Sequence, residues 1–341
     1  MNWKRTISLS VTALVMVLMI LDTEMAFYAA NEGIDICLRT IIPSLFPFFF
    51  LSGIINSALI GVNSHFLRPL SRLCRIPVGA ESLMILGLTG GYPVGANATY
   101  TAYVSGSMSR RSAQRMIAFC NNAGPAFVFG ILSPLFENRL ACWTLWGIHI
   151  CTAILVAVLL PGAETETCIE TKNNSANVTQ FLQMAIRNTA TVCGWVILFR
   201  IVMGFLDRWF LWLLPKEIQI LLCGLLELSN GCISLSGIVS DGLRFVLATV
   251  FLAFGGVCVA MQTASVIGDL STKSYLLGKG MQTALSLLFA GIMQNFLFPA
   301  GTVHLPFFLY MPGIFVLSLP ILKKTVAFPA KIRYNKENSP E

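Results

Sequence analysis

Gly87 to Tyr100 reads GLTGGYPVGANATY, and Phe119 to Gly130 reads FCNNAGPAFVFG. Both stretches are charge-free and apolar enough to sit in a bilayer. Each also carries glycine, proline and amide side chains that interrupt helical hydrogen bonding. In hydrocarbon an unpaired backbone group is costly, so broken backbone survives at depth only where protein or a polar cavity covers it. Apolar segments interrupted by glycine and proline therefore point to a transporter-type binding site.

The rest of the chain agrees with a membrane setting. Of its 341 residues 55% are hydrophobic and only 11% charged, against roughly 25% charged in soluble domains. A soluble monomer of this composition would expose apolar patches beyond what monomers tolerate. The net charge is +7. The basic residues cluster in short loops and near the C-terminus, where they set topology rather than recruit nucleic acid. Ten cysteines occur singly, with no CxxC pair and only three histidines. That pattern argues against a metal or disulfide framework, and thiols within apolar runs act as small hydrophobes.

In chain order, the uncharged residues 6–21 after Lys4 and Arg5 read as a retained first helix with a cytoplasmic N-terminus, a cleaved signal peptide being the alternative. Asp22, Glu24, Glu32 and Asp35 predict an outer acidic loop. Residues 40–64 form a second span, whose early prolines Pro43 and Pro47 cost little in a first turn. Arg68, Arg72 and Arg75 mark the cytoplasmic side, as do Arg110, Arg111 and Arg115. Residues 82–109 lie between these clusters without a charge. As one helix they would reach about 42 Å, too long for a core of about 30 Å. Equal charge at both ends predicts a re-entrant hairpin broken at Gly90-Gly91-Tyr92-Pro93; a glycine-kinked span is the alternative. Residues 116–136 cross outward, with Pro125 leaving the Asn121 carbonyl free, and 140–160 return. The polar stretch 163–182 is a linker.

The second half follows the same order. A span from 183 to about 206 contains Arg200. Residues 218–240 are apolar with one acid, Glu227, beside Ser229-Asn230-Gly231, and form the second hairpin. Residues 245–268 include Gly255-Gly256. After Asp269, Lys273 and Lys279 the uncharged run 280–322 reads as two spans, broken at Pro299–Gly301 and Pro306. The expected architecture is all-α and polytopic, with about eight full crossings and two re-entrant hairpins arranged as inverted repeats. It comprises an N-terminal helix and outer loop (1–36), a first repeat (37–162), the linker (163–182), a second repeat (183–322) and a basic cytoplasmic tail (323–341). This topology places Arg39, Arg139, Arg200, Arg208, Lys216 and Arg244 outside and the other basic residues inside, as the positive-inside rule asks. A site then falls near the midplane, between the repeats.

Glu227 is the sharpest candidate for chemistry, since a carboxylate in an apolar span faces a partner or a wet cavity and can carry a proton or ligate a cation. An ion pair with Arg200 is the structural alternative. Asn121 and Asn122 offer donors and acceptors to a polar solute, or else hydrogen-bond between helices. Gly87 and Gly95 suit close helix packing. The predicted solute contacts are Thr89, Gly90, Gly91, Pro93, Asn97, Asn121, Asn122, Gly124, Pro125, Glu227, Ser229, Asn230 and Gln262. His149 and His304 read as structural. No nucleophile–histidine pair, phosphate loop or HExxH motif is present, so an enzyme is not expected. No cofactor is expected either, beyond coupling to H+ or Na+.

GLTGGYPVGA (87–96), FCNNAGPAFVFG (119–130), IPSLFPFFFLSGII (42–55) and GLLELSNG (224–231) resemble the YlbJ family of sporulation integral membrane proteins. That family is placed in the nucleoside-recognition or Gate-domain superfamily, with the spore maturation proteins A and B. The superfamily is named for likeness to parts of concentrative nucleoside transporters and of ferrous-iron transport protein B. The resemblance extends over residues 40–320. It implies a transporter-like fold with re-entrant hairpins, a role in endospore formation, and movement of dipicolinic acid across the outer forespore membrane. A dianionic solute wants positive partners, for which the sequence offers helix N-termini at the hairpin tips and Arg187 or Arg200. The alternatives are a nucleoside transporter and a non-transporting membrane scaffold for spore assembly.

Overall fold

A computed structural model describes residues 3–59, 68–162 and 177–320, and among them no strand occurs. Helix α1 runs Trp3–Leu21 and α2 Thr23–Ile36, and a π turn at Cys37–Ile41 joins α2 to α3, Ile42–Leu59. The short α4 (Arg68–Cys74) leads to α5 (Glu81–Thr89), α6 (Val94–Val104) and α7 (Arg110–Ile117). A non-helical stretch, 118–124, then precedes the short α8 (Pro125–Phe127), which continues through π and 3-10 turns to Leu135 and on to α9 (Arg139–Leu159). The second half comprises α10 (Val178–Trp209), α11 (Lys216–Leu226), α12 (Leu228–Ser234), α13 (Asp241–Phe254), α14 (Gly256–Val266) and α15 (Thr272–Leu297). A last apolar helix, α16, covers Met311–Pro320.

Five helical stretches are long and apolar enough to cross a membrane: Thr23–Ile55, Arg139–Leu159, Val178–Trp209, Asp241–Val266 and Thr272–Leu297. Three of the other expected crossings are represented by the shorter apolar helices Thr12–Leu21, Pro125–Leu135 and Met311–Pro320. The protein is an all-α polytopic membrane protein.

The expected breaks fall where the glycines and prolines predict them. Helices α5 and α6, of 9 and 11 residues, would each reach only about 14–17 Å, too short to cross. They pack on one another as a hairpin around Gly90–Pro93, with a cis Tyr92-Pro93 bond. Helices α11 and α12 pack likewise around Glu227. The span 241–266 breaks at Gly255, whose φ of +80° is the left-handed conformation that glycine adopts without steric cost. Each half thus runs long helix, hairpin, broken span, plain helix.

Four expectations are corrected. The acids at 22–35 do not form a loop: Asp22 caps α2, the helix carries Glu24, Glu32 and Asp35, and it runs on through the π turn past the expected boundary at 36. Pro43 and Pro47 therefore sit within a continuing helix, directly after that turn, rather than at a free helix start. The helix of the second half begins at Val178, inside the expected linker, because Asn177 and Gln180 form a capping box at its start; 163–176 and the tail 323–341 lie outside the described residues. Lys273 and Lys279 belong to α15 rather than to a loop before it.

One tertiary clamp holds the cytoplasm-assigned end. Arg115 on α7 donates from Nε to the Pro161 carbonyl at 2.7 Å and from its terminal nitrogens to Arg75 at 3.1 Å, Cys74 at 2.6 Å and Ala157 at 2.5 Å. These carbonyls end α4 and α9, where helices leave acceptors without partners. A lysine cannot reproduce the guanidinium's fixed fork of donors. Arg115→Lys is expected to cost about 2 kcal/mol, in the range for hydrogen bonds to charged groups, read as a lowered melting temperature in detergent. An unchanged melting temperature would mean that the clamp carries no net stability.

Candidate functional site

The non-helical stretch 118–124 is the pivot of the site. It threads between the α5–α6 hairpin and α15, and glycines make room for it on both sides. A Cβ on Gly95 would lie 1.9 Å from the Cys120 carbonyl oxygen, one on Gly87 at 2.3 Å from the same atom, and one on Gly278 at 1.9 Å from that of Ala118. Within the segment, the Ala123 amide donates to His149 Nε2 at 3.1 Å. Asn122 Nδ2 donates to the Gly87 and Phe119 carbonyls at 3.1 and 2.6 Å. Asn121 Oδ1 accepts from the Ala96 amide at 3.4 Å, and its Nδ2 donates to Thr263 Oγ1 at 2.9 Å. Broken backbone is thus paired by side chains from α9 and the segment itself, the condition for its survival in a membrane.

Pro125 acts differently from the expectation. It occupies the first turn of α8, after an extended Gly124, so it starts a helix rather than breaking one. Asn121 is consequential through its side chain, which joins the first half to α14.

A narrow cavity opens between the halves. Gly90, Gly91, Gly124, Glu227, Ser229 and Gln262 line it, together with Tyr92, Phe48, Phe49, Phe127 and Val259. In this conformation it has room for a few water molecules. Of the expected contacts, Thr89, Pro93, Asn97, Asn121, Asn122, Pro125 and Asn230 do not line it. Asn97 is exposed, and Thr89 Oγ1 donates to the Ile85 carbonyl at 2.8 Å. The two asparagines are fully buried and bonded between helices, the structural alternative raised for them.

Glu227 interrupts the second hairpin. Its φ of −143° and ψ of 124° are extended, and its carboxylate caps α12. Oε1 accepts from the Ser229 amide at 3.0 Å; Oε2 accepts from the Asn230 amide at 2.6 Å and from Asn230 Nδ2 at 2.9 Å. The alternative pairing with Arg200 does not occur. Arg200 bonds Glu32 through Nε at 3.1 Å and through a terminal nitrogen, tying α10 to α2. No described cation lies within 4.0 Å of Glu227.

Sequence reasoning missed Lys279. It is fully buried on α15, and its amine donates to Tyr92 Oη at 3.0 Å, Asn122 Oδ1 at 3.1 Å and Gln282 Oε1 at 2.8 Å. It also lies 5.0 Å from the centre of the Tyr92 ring, within cation–π range. Three acceptors match the three N–H groups of an ammonium, and none of them is a carboxylate. Gln282 completes the cluster, donating to Asn122 Oδ1 and the His149 carbonyl, each at 3.0 Å. Tyr92 bridges the two polar regions: it lines the cavity, accepts from Lys279, and donates to the Leu252 carbonyl at 3.0 Å. The missed signal was helical phase. Tyr275, Lys279, Gln282 and Ser286 recur at helical spacing, and all four are buried.

Broken helices meeting at a buried polar seam define the class as an all-α polytopic membrane protein. Over 118 residues the chain is 30% identical to the sporulation integral membrane protein YlbJ of Bacillus subtilis (strain 168). The match takes in 34% of this chain and 29% of that relative, so the chain covers under a third of the length of the curated protein it matches. No protein-family model matches the chain, and no solved structure does.

Proposed function

We propose that this protein moves a small polar anion across a membrane, with dipicolinate at the outer forespore membrane as the first candidate. The observation that carries the reading is Lys279, an amine buried at the seam of two broken-helix units with only neutral partners. Ionisable residues inside membranes are costly, and as a rule they mark substrate or ion pathways. The amine supplies a positive partner for a dianion beyond the helix N-termini and arginines that the sequence offered. Similarity to a sporulation membrane protein supports the cellular setting, and the recurring order of elements supports alternating access between two inverted repeats. The narrow cavity is an occluded state on this reading, and transport requires the hairpins to part from α15.

The test is uptake into liposomes bearing the purified protein, with dipicolinate and a nucleoside offered separately, with and without a proton gradient. Protein-dependent dipicolinate uptake is expected. Uptake of the nucleoside alone would move the assignment to the nucleoside alternative, and uptake of neither by folded protein would sink the transport reading.

A further inference from the structure

The cavity's polar wall has the opposite chemistry to Lys279, which lies outside the lining and bonds the lining residue Tyr92. Glu227 is 2% exposed and Gln262 3%, and both face the same small space. The carboxylate accepts three N–H donors, the pattern of an acceptor-only, ionised group, yet no described Lys, Arg or His pairs with it. Gln262 spends Nε2 on the Cys258 thiol sulfur at 3.1 Å, and its Oε1 is buried without any described partner. An orphaned buried acceptor costs about 1–3 kcal/mol, and an uncompensated carboxylate in a bilayer costs more. Two such deficits facing one cavity are met together by one positively charged ligand.

We infer that Glu227, Gln262 and Ser229 form a binding site for a monovalent metal cation, with Na+ as its probe. A single carboxylate suits a single charge, since divalent ions held by protein usually gather several. The few waters that the cavity admits complete the coordination. A second cavity is lined by Asn31, Glu32, Asp35, Arg200, Asn230 and Ser234. Asn230 touches both it and the site, since its amide and side chain hold Glu227 Oε2. A cation at Glu227 would also cancel the charge that otherwise repels an anionic solute in the same seam.

Binding can be tested without transport, so failure here and failure of the anion-transport reading are distinguishable. The melting temperature of purified protein in detergent is followed as NaCl replaces choline chloride at constant ionic strength. A saturable, Na+-specific rise is expected. In Glu227→Gln and in Gln262→Leu the half-saturating concentration should rise more than about tenfold, since even outer-shell partners of a metal ion carry 10–100-fold in affinity. Gln262→Leu leaves the helix cap intact, so it decides the matter if Glu227→Gln does not fold. No ion-specific rise in the wild type overturns the site, as does a rise that persists in Gln262→Leu. A response to pH alone overturns it too, and assigns Glu227 to a proton.

Discussion

Gly95→Ala is expected to abolish the folded state in detergent, seen as loss of the monodisperse peak on gel filtration and of a cooperative melt. The new methyl would sit 1.9 Å from the Cys120 carbonyl oxygen and 2.7 Å from the Gly87 Cα. Both obstacles are backbone, and neither can rotate away as a side-chain tip would. Overpacking a core costs about 1–3 kcal/mol when side chains yield, and here the hairpin itself must shift. That shift would pull Asn122 from the Gly87 carbonyl and Asn121 from the Ala96 amide, leaving buried polar groups unpaired. Gly231→Ala should behave alike, since its methyl would lie 2.1 Å from the Gly224 Cα of the other hairpin. The control is Gly280→Ala, on an exposed helical position with nothing within 4 Å. It should be neutral or stabilising by about 0.5–1 kcal/mol, the helix preference for alanine over glycine. A well-folded Gly95→Ala protein would refute the close threading of 118–124.

Lys279→Met is expected to separate stability from transport. The substitution removes the cost of burying a charge with no carboxylate partner and leaves Gln282 Oε1 without its donor, two effects of opposite sign. Asn122 Oδ1 keeps its bond from Gln282 Nε2. The melting temperature should therefore change little. Dipicolinate uptake should fall more than about tenfold, because losing one partner of a buried charge pair costs about 2–5 kcal/mol of binding. Lys279→Arg should not rescue it: the guanidinium is larger than the slot and carries five donors for three acceptors. Unaltered uptake by a folded Lys279→Met protein would remove the amine from the solute's path.

Most of the architecture was legible because its signals are local. Composition sets the bilayer as solvent, and the three interruptions at Gly90–Pro93, Asn121–Gly124 and Glu227 are written in residues that cannot continue an apolar helix. The helical acids at 22–35 were misread because charge was taken as a loop marker. On α2 the one that faces inward, Glu32, is matched by Arg200 from α10, 168 residues away. Lys279 was misread for the same reason. A charged residue near a span's edge counts as a flank in a linear scan, whereas helical phase turns this one toward Tyr92 and Asn122.

By itself, then, the sequence determined that the protein lives in a membrane, where its helices break, and that Glu227 needs a purpose. Only the tertiary structure decided which polar groups satisfy one another and which remain open. Asn121 and Asn122 are consumed in holding the broken segment, while Glu227 and Gln262 are left facing a cavity. The physical reason is range. Backbone interruption depends on a few neighbouring residues, but a buried hydrogen bond depends on what another helix brings to it from 100 or more residues away.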